Sequence, residues 1–263
     1  MIKTMSNWRV KRQLLYLFSV LGVIFAVVLG FYLYSRPTPS CFDGQQNNAE
    51  TGVDCGGLCQ KACVNTTLPI KVLWSRILEA GEGRYDVAVM LENFNGTVGA
   101  KKLTYILRIY DGNNALITSK TGSTYVNPLE KFVVFEPGLI ADKRIAQSAT
   151  LEITSQSDWL KTPALSATVS LERVIDPVNF TSDPSPRLHY RLINNSLVAL
   201  SGLEIAIVLN DDNQNAFAGS KTLVDSLAKG ETKDLYFTWP APLSRNPTSL
   251  DTYWRFNGFT QVP

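Results

Sequence analysis

The sequence predicts an all-β protein: two tandem Ig-like β-sandwich domains behind one transmembrane α-helix and a small disulfide-rich module. Three observations carry this reading. From Ile70 onward apolar and polar residues alternate with a period of two; a cluster of residues near position 114 recurs about 100 positions later; and an uncharged apolar stretch, with all four cysteines behind it, occupies the N-terminal quarter.

The apolar stretch is Leu14 to Tyr34, 21 residues without a charge. At ~1.5 Å per residue a helix of that length spans roughly 30 Å, the thickness of a bilayer core. Trp8 and Tyr16 precede or open it and Tyr32 and Tyr34 close it, where interfacial aromatics belong. Lys3, Arg9, Lys11 and Arg12 stand before the span against Arg36 after it, which predicts a cytoplasmic tail over residues 1–13 and an extracytoplasmic body over residues 36–263. A cleaved signal peptide is the rival reading, with Val28-Leu29-Gly30 as the cleavage triplet; the stretch is longer than the ~7–15 residues of a signal h-region. Beyond Ser35 there remain 21 basic and 23 acidic side chains, so the body offers no electrostatic reason to bind nucleic acid.

Residues 35–64 form the linker and cysteine module, with Cys41, Cys55, Cys59 and Cys63 inside 23 residues. Outside a membrane, an even cluster of that density reads as two disulfides, and three pairings are open. Zinc is the alternative, although the spacing lacks a Cys-x-x-Cys knuckle. Asp43, Asn47, Glu50 and Asp54 lie between the cysteines on a loop bent by Gly44 and Gly52. Oxygen ligands on such a loop suit calcium; the same residues also serve simply as turn formers. The run resembles a short module, C-x-D-G-x-x-N-x-x-E-x-G-x-D-C-G-G-x-C-x-x-x-C, of extracellular surface proteins, which implies an extracytoplasmic setting and nothing catalytic.

The β units follow. Tyr85, Val87, Val89 and Leu91 alternate with Asp86, Ala88 and Glu92; Leu103, Tyr105, Leu107 and Ile109 alternate with Lys102, Thr104 and Arg108. Asp111-Gly112-Asn113-Asn114 then makes a hairpin turn. Asn114-Ala115 with Ser119-Lys120-Thr121 recurs 101 residues later as Asn215-Ala216 with Ser220-Lys221-Thr222, and Tyr85–Asn93, Leu103–Tyr110 and Lys131–Leu139 correspond to Leu188–Asn194, Leu203–Asn210 and Asp234–Leu243. A duplicated domain explains this, with sandwiches over 65–163 and 164–263 and Leu165–Val174 opening the second copy. Leu107-Arg108-Ile109-Tyr110-Asp111 resembles the signature of the FxLYD family of bacterial extracytoplasmic β-sandwiches, with Val208-Leu209-Asn210-Asp211 as a degenerate second form. That resemblance implies accessory modules that bind or space, without catalysis.

Chemistry-bearing patterns are sparse. His189 is the only histidine and sits in a strand, and neither a P-loop, G-x-G-x-x-G nor H-E-x-x-H occurs. The carboxylates Asp86, Glu92 and Glu204 are the candidates for a glycan-active enzyme, if paired in a groove. Asp211-Asp212-Asn213-Gln214-Asn215 reads as a turn rather than a cation site, because its duplicate occupies the same hairpin. Asn65, Asn95, Asn179 and Asn194 head N-x-S/T sequons. Trp239, Trp254 and Phe259, from an aromatic-rich C-terminus, are candidates for an exposed binding platform. Together these observations imply a non-enzymatic, membrane-anchored binding or scaffold protein of the cell envelope with a protein partner; a structural subunit of a surface or secretion assembly is the alternative.

Overall fold

A computed structural model describes residues 3–35, 40–47, 49–81, 83–141, 144–162, 167–174 and 178–260. The chain falls into two compact units, residues 1–54 and 55–263.

The first unit opens with helix α1, Lys3–Tyr34. It starts eleven residues before the apolar stretch because Lys3 to Gln13 contains no proline or glycine to stop it. From Trp8 to Tyr34 the helix is long and apolar enough to cross a membrane, and none of that face is buried by protein. The Ser19 hydroxyl donates back to the Tyr16 carbonyl at 2.8 Å, so the helix satisfies its own polar group.

The second unit holds thirteen strands among the described residues. The first copy runs β1 Lys71–Glu79, β2 Arg84–Glu92, β3 Val98–Tyr110, β4 Leu116–Val126, β5 Lys131–Ile140, β6 Ser148–Gln156 and a short β7 Trp159–Lys161. The second runs β8 Val169–Arg173, β9 Arg187–Asn194, β10 Leu200–Asn210, β11 Ala216–Leu227, β12 Thr232–Thr238 and β13 Ser249–Phe256. Strand β8 falls inside the stretch expected to open the second copy; the expected boundary at Pro163 and Ala164 lies outside the described residues.

Both copies have one topology. In the first, β1-β2-β5 faces β4-β3-β6; in the second, β8-β9-β12 faces β11-β10-β13. Between the first pair lie Val87, Val89, Leu91, Leu103, Leu107 and Phe132, and between the second Leu188, Leu192, Leu203, Ile205, Phe237 and Trp239. These are the period-two positions, each a side chain moved out of water onto one face of a sheet.

The repeat extends to the turns. Asp111 accepts N–H bonds from Asn113 and Ala115 through Oδ1, and Asp211 accepts them from Asn213 and Asn215. Asn114 and Gln214 both take positive φ, 59° and 60°. Both loops are therefore closed turns whose first aspartate caps the chain. Here the equivalence is 100 residues: Leu107 pairs with Lys120 where Ile207 pairs with Ser220. The Ser-Lys-Thr identity noticed at 101 is thus one residue out of structural register, and such a slip moves a side chain to the opposite face.

The sandwiches are fused rather than strung. Glu79 of β1 pairs in parallel with Ala218 of β11, joining one sheet of each copy into a six-stranded sheet ordered β13-β10-β11-β1-β2-β5. A third apolar cluster, Leu78, Ala88, Met90, Val133, Phe135 and Val208, fills the contact between copies. Strands β2 and β5 are consequently buried on both faces over Val87–Leu91 and Phe132–Phe135, instead of half-buried as alternation suggested for Ala88.

The end of the cysteine module belongs to the first sandwich. Lys61 bridges to Leu160 of β7, the Ala62 N–H donates to the Trp159 carbonyl at 2.8 Å, and Ala62 enters the first core.

Candidate functional site: the contact between the sandwiches

Cys55 and Cys63 form a disulfide, and Cys41 and Cys59 are also disulfide-bonded; no free cysteine remains. Zinc held by thiolates is thereby set aside, since sulfur in a disulfide is no thiolate ligand. Within residues 40–54, Asp54 accepts the N–H groups of Asp43 and Gly44, and Glu50 accepts those of Asn47 and Asp54. Asp43 accepts from Gln45 N–H and from the Asn47 amide, the latter at 2.8 Å. The Asn47 bond, then that of Gln45, holds the Asp43 carboxyl below the usual carboxylate range. All four residues do come together: the carboxylates of Asp43, Glu50 and Asp54 accept loop N–H groups and the Asn47 amide, as turn caps do, while Asn47 Oδ1 is buried without a hydrogen-bond partner among the described residues.

The aromatic platform is not assembled. Trp239 is 1% exposed, inside the second core and edge-on to Phe180 with ring centroids 5.4 Å apart. It follows strand β12 and faces inward because its neighbours Leu235 and Phe237 do. Trp254 is half-buried on β13, stacked on Phe256. Phe259 lies against Gly99 of the first copy, where a Cβ would sit 3.0 Å from its ring. Trp239 and Trp254 both pack on the second core while Phe259 lies against the first copy, so the three offer no shared exposed face.

The acids Asp86 and Glu92 share strand β2 six residues apart, about 20 Å at strand rise, beyond the ~5–9.5 Å of a glycosidase pair. Asp86 instead accepts the Gly138 N–H at 2.7 Å beside the β5 bulge, and burial pushes its carboxyl up to about 6. His189 meets Asp234 at 2.7 Å and stacks on Tyr236, on the outer face of β9 and β12. Of the sequon asparagines, Asn95 and Asn194 are buried and bonded into the fold, while Asn65 and Asn179 are exposed.

What sequence reading missed is the contact itself. Arg255 of β13 is 6% exposed yet lies between the two sandwiches, its guanidinium 3.9 Å from the Tyr125 ring centroid and 4.0 Å from that of Phe132. It donates two bonds of 2.9 Å to the Glu130 carboxylate, one to Thr124 Oγ1 and one to the Tyr125 carbonyl. A buried guanidinium with its carboxylate and most of its donors matched is the arrangement in which burial of charge is tolerated. Asn127 adds a bond from its amide to the Phe256 carbonyl at 2.9 Å.

Beside Arg255 is a cavity of about 200 Å³, bounded by Lys131 and Val133 of β5, Glu204 and Ala206 of β10, Lys221 of β11 and Thr252 to Arg255 of β13. Of two wider grooves of about 560 and 550 Å³, one runs along β1 past Arg76 and Arg245, and the other lies at the end of β1 past Arg84 and Ser244. A signal for the contact was present: Val87 to Leu91 and Phe132 to Phe135 are unbroken apolar runs, whereas their counterparts place His189, Arg191, Asp234 and Tyr236 at the positions of Ala88, Met90, Val133 and Phe135. Of these two equivalent sheets only that of the first copy has an outer face to cover, and the second copy meets it with the Ile205–Leu209 run of β10.

No protein-family model matches the chain, and no curated protein matches it significantly. Among solved structures it is similar to the transglutaminase of red sea bream, at 16% identity and a TM-score of 0.22, over 72% of this chain and 29% of that one. The chain thus spans under a third of the length of that enzyme, and a similarity of this grade carries no argument about activity.

Proposed function

We propose that the chain is a non-enzymatic, single-pass membrane-anchored binding or scaffold protein, with a cytoplasmic N-terminus and residues 36–263 in the cell envelope, where they engage a protein partner. The observation that carries this is one chain joining an apolar helix unburied by protein to a body whose cysteines are all disulfide-bonded. Disulfides persist in oxidising compartments, and the positive flank of the helix belongs on the cytoplasmic side. The resemblance of each sandwich to FxLYD modules supports an accessory role, and a fused pair supplies a stiff arm with two outer sheet faces.

Protease applied to intact cells or spheroplasts tests it. Residues 36–263 are expected to be digested from outside while a tag at residue 1 stays protected; protection of the whole body overturns the topology. Cross-linking followed by detergent purification then recovers the partner, and a body that cross-links to no protein overturns the binding role.

A further inference from the structure

The cavity beside Arg255 is lined by Lys131, Glu204 and Lys221, charged side chains drawn from both sandwiches. Glu204 and Arg255 are directly opposed on β10 and β13, with Cβ atoms about 5 Å apart in such a pair. Arg255, however, turns to Glu130 of the first sandwich. Glu204 therefore keeps no ion-pair or hydrogen-bond partner among the described residues, although it is half-buried. A half-buried carboxylate without a partner is costly, and an apolar residue there would extend the cluster formed by Ala88, Met90 and Val208. Lys131, exposed at its end of β5, comes from the facing sandwich, and Lys221 of β11, opposite Ala206 on the same sheet as Glu204, reaches the Phe135 carbonyl with its ammonium at 3.2 Å.

The first copy has no such set. Thr104 and Thr121 occupy the places of Glu204 and Lys221, the hairpins being equivalent at 100 residues. The charges thus belong to the contact between copies, the kind of junction where ligand pockets collect. About 200 Å³ is below the ~300–1,000 Å³ of pockets for drug-sized ligands, so the guest is small. Two ammonium groups and one carboxylate around a single cavity match a molecule that carries both charges.

We propose that this cavity binds a small zwitterion of the α-amino-acid type, its carboxylate held by Lys131 and Lys221 and its ammonium by Glu204. Tyr253, which also lines the cavity, gives the ammonium an aromatic neighbour. Because the walls come from both sandwiches, occupancy stiffens the junction, which lies apart from the outer faces left for a protein partner.

The test is calorimetric titration of the full chain in detergent micelles with the common L-amino acids, acetate and methylammonium as probes. At least one amino acid is expected to bind saturably, at least tenfold more tightly than either single-charge probe. Glu204→Gln should weaken it tenfold or more, while Glu152→Gln, on the far sheet of the first copy, leaves it unchanged. Lys131→Met is the second variant: its side chain is exposed, so it leaves the fold intact, and it should weaken binding similarly. Absence of saturable amino-acid binding overturns the proposal. So does acetate binding as tightly as the amino acids and surviving Glu204→Gln, which describes an anion site only. Neither result bears on the membrane topology, which the protease experiment reads separately.

Discussion

Arg255 shows how one residue can decide an assembly. Removing its side chain leaves Glu130 buried between the sandwiches without its cation, so Arg255→Ala should cost about 3–5 kcal/mol in urea unfolding. Arg255→Met with Glu130→Leu should recover much of that, because the pair is replaced by apolar volume. Asp86 sets a pH dependence of opposite sense to an ordinary ion-paired carboxylate. Its pKa is raised in the folded chain to about 6, so between the usual carboxylate value and pH 6 the folded state binds the extra proton. Stability from this group is present at low pH and is lost as pH rises through about 6. Partial solvent access reduces the effect to about 1–2 kcal/mol. Thermal melts should therefore show more stability at pH 5 than at pH 7.5 from this source, and Asp86→Asn should flatten the difference; an unchanged profile in the variant removes Asp86 as its cause.

At the scale of elements, Asn93, just after β2, and Asn194, which ends β9, are the internal fasteners of each copy. The Asn93 amide donates to the Val98 and Asn127 carbonyls, and that of Asn194 to those of Val198, Leu227 and Ala228. Alanine at either position orphans buried carbonyls, and a loss of about 2–3 kcal/mol is expected from each. The cysteine clip is a second such element. A chain-entropy estimate gives the Cys55–Cys63 loop about 2.5 kcal/mol. Because Gln60 to Ala62 bond to β7, reduction should raise hydrogen exchange at Ala62 and Lys161 while amides of the second sandwich keep their protection. Equal loss in both sandwiches would show the clip to be global. The cysteine module over residues 35–64, as read from sequence, carried no sign of this bonding, because Lys61 and Leu160 are about a hundred residues apart.

For the whole molecule, the question is what holds two copies in one body. Met90 is 2% exposed, in the apolar contact between the copies, at the position where the second copy has Arg191. Met90→Arg gives the first face the character of the second and should part the sandwiches. Hydrogen exchange should then rise at Glu79 and Ala218, where the shared sheet is joined, while the β3 and β9 amides stay protected. Collapse of protection everywhere would mean that neither copy stands without the other.

The division between sequence and structure follows from the range of the forces involved. Alternation along β2, β3, β9 and β10, the helix Leu14 to Tyr34 and the Asp111 and Asp211 turns are local effects: side-chain period, apolar length and a carboxylate reaching N–H groups two and four residues on. The sequence by itself therefore determined the strands, the apolar helix and the duplication. It did not determine the inward turn of Trp239, the isolation of Glu204 beside an arginine committed elsewhere, or the pairing of β1 with β11. Those depend on which sheet face meets another, on contacts between residues about fifty to a hundred and forty positions apart, and tertiary packing alone decided it.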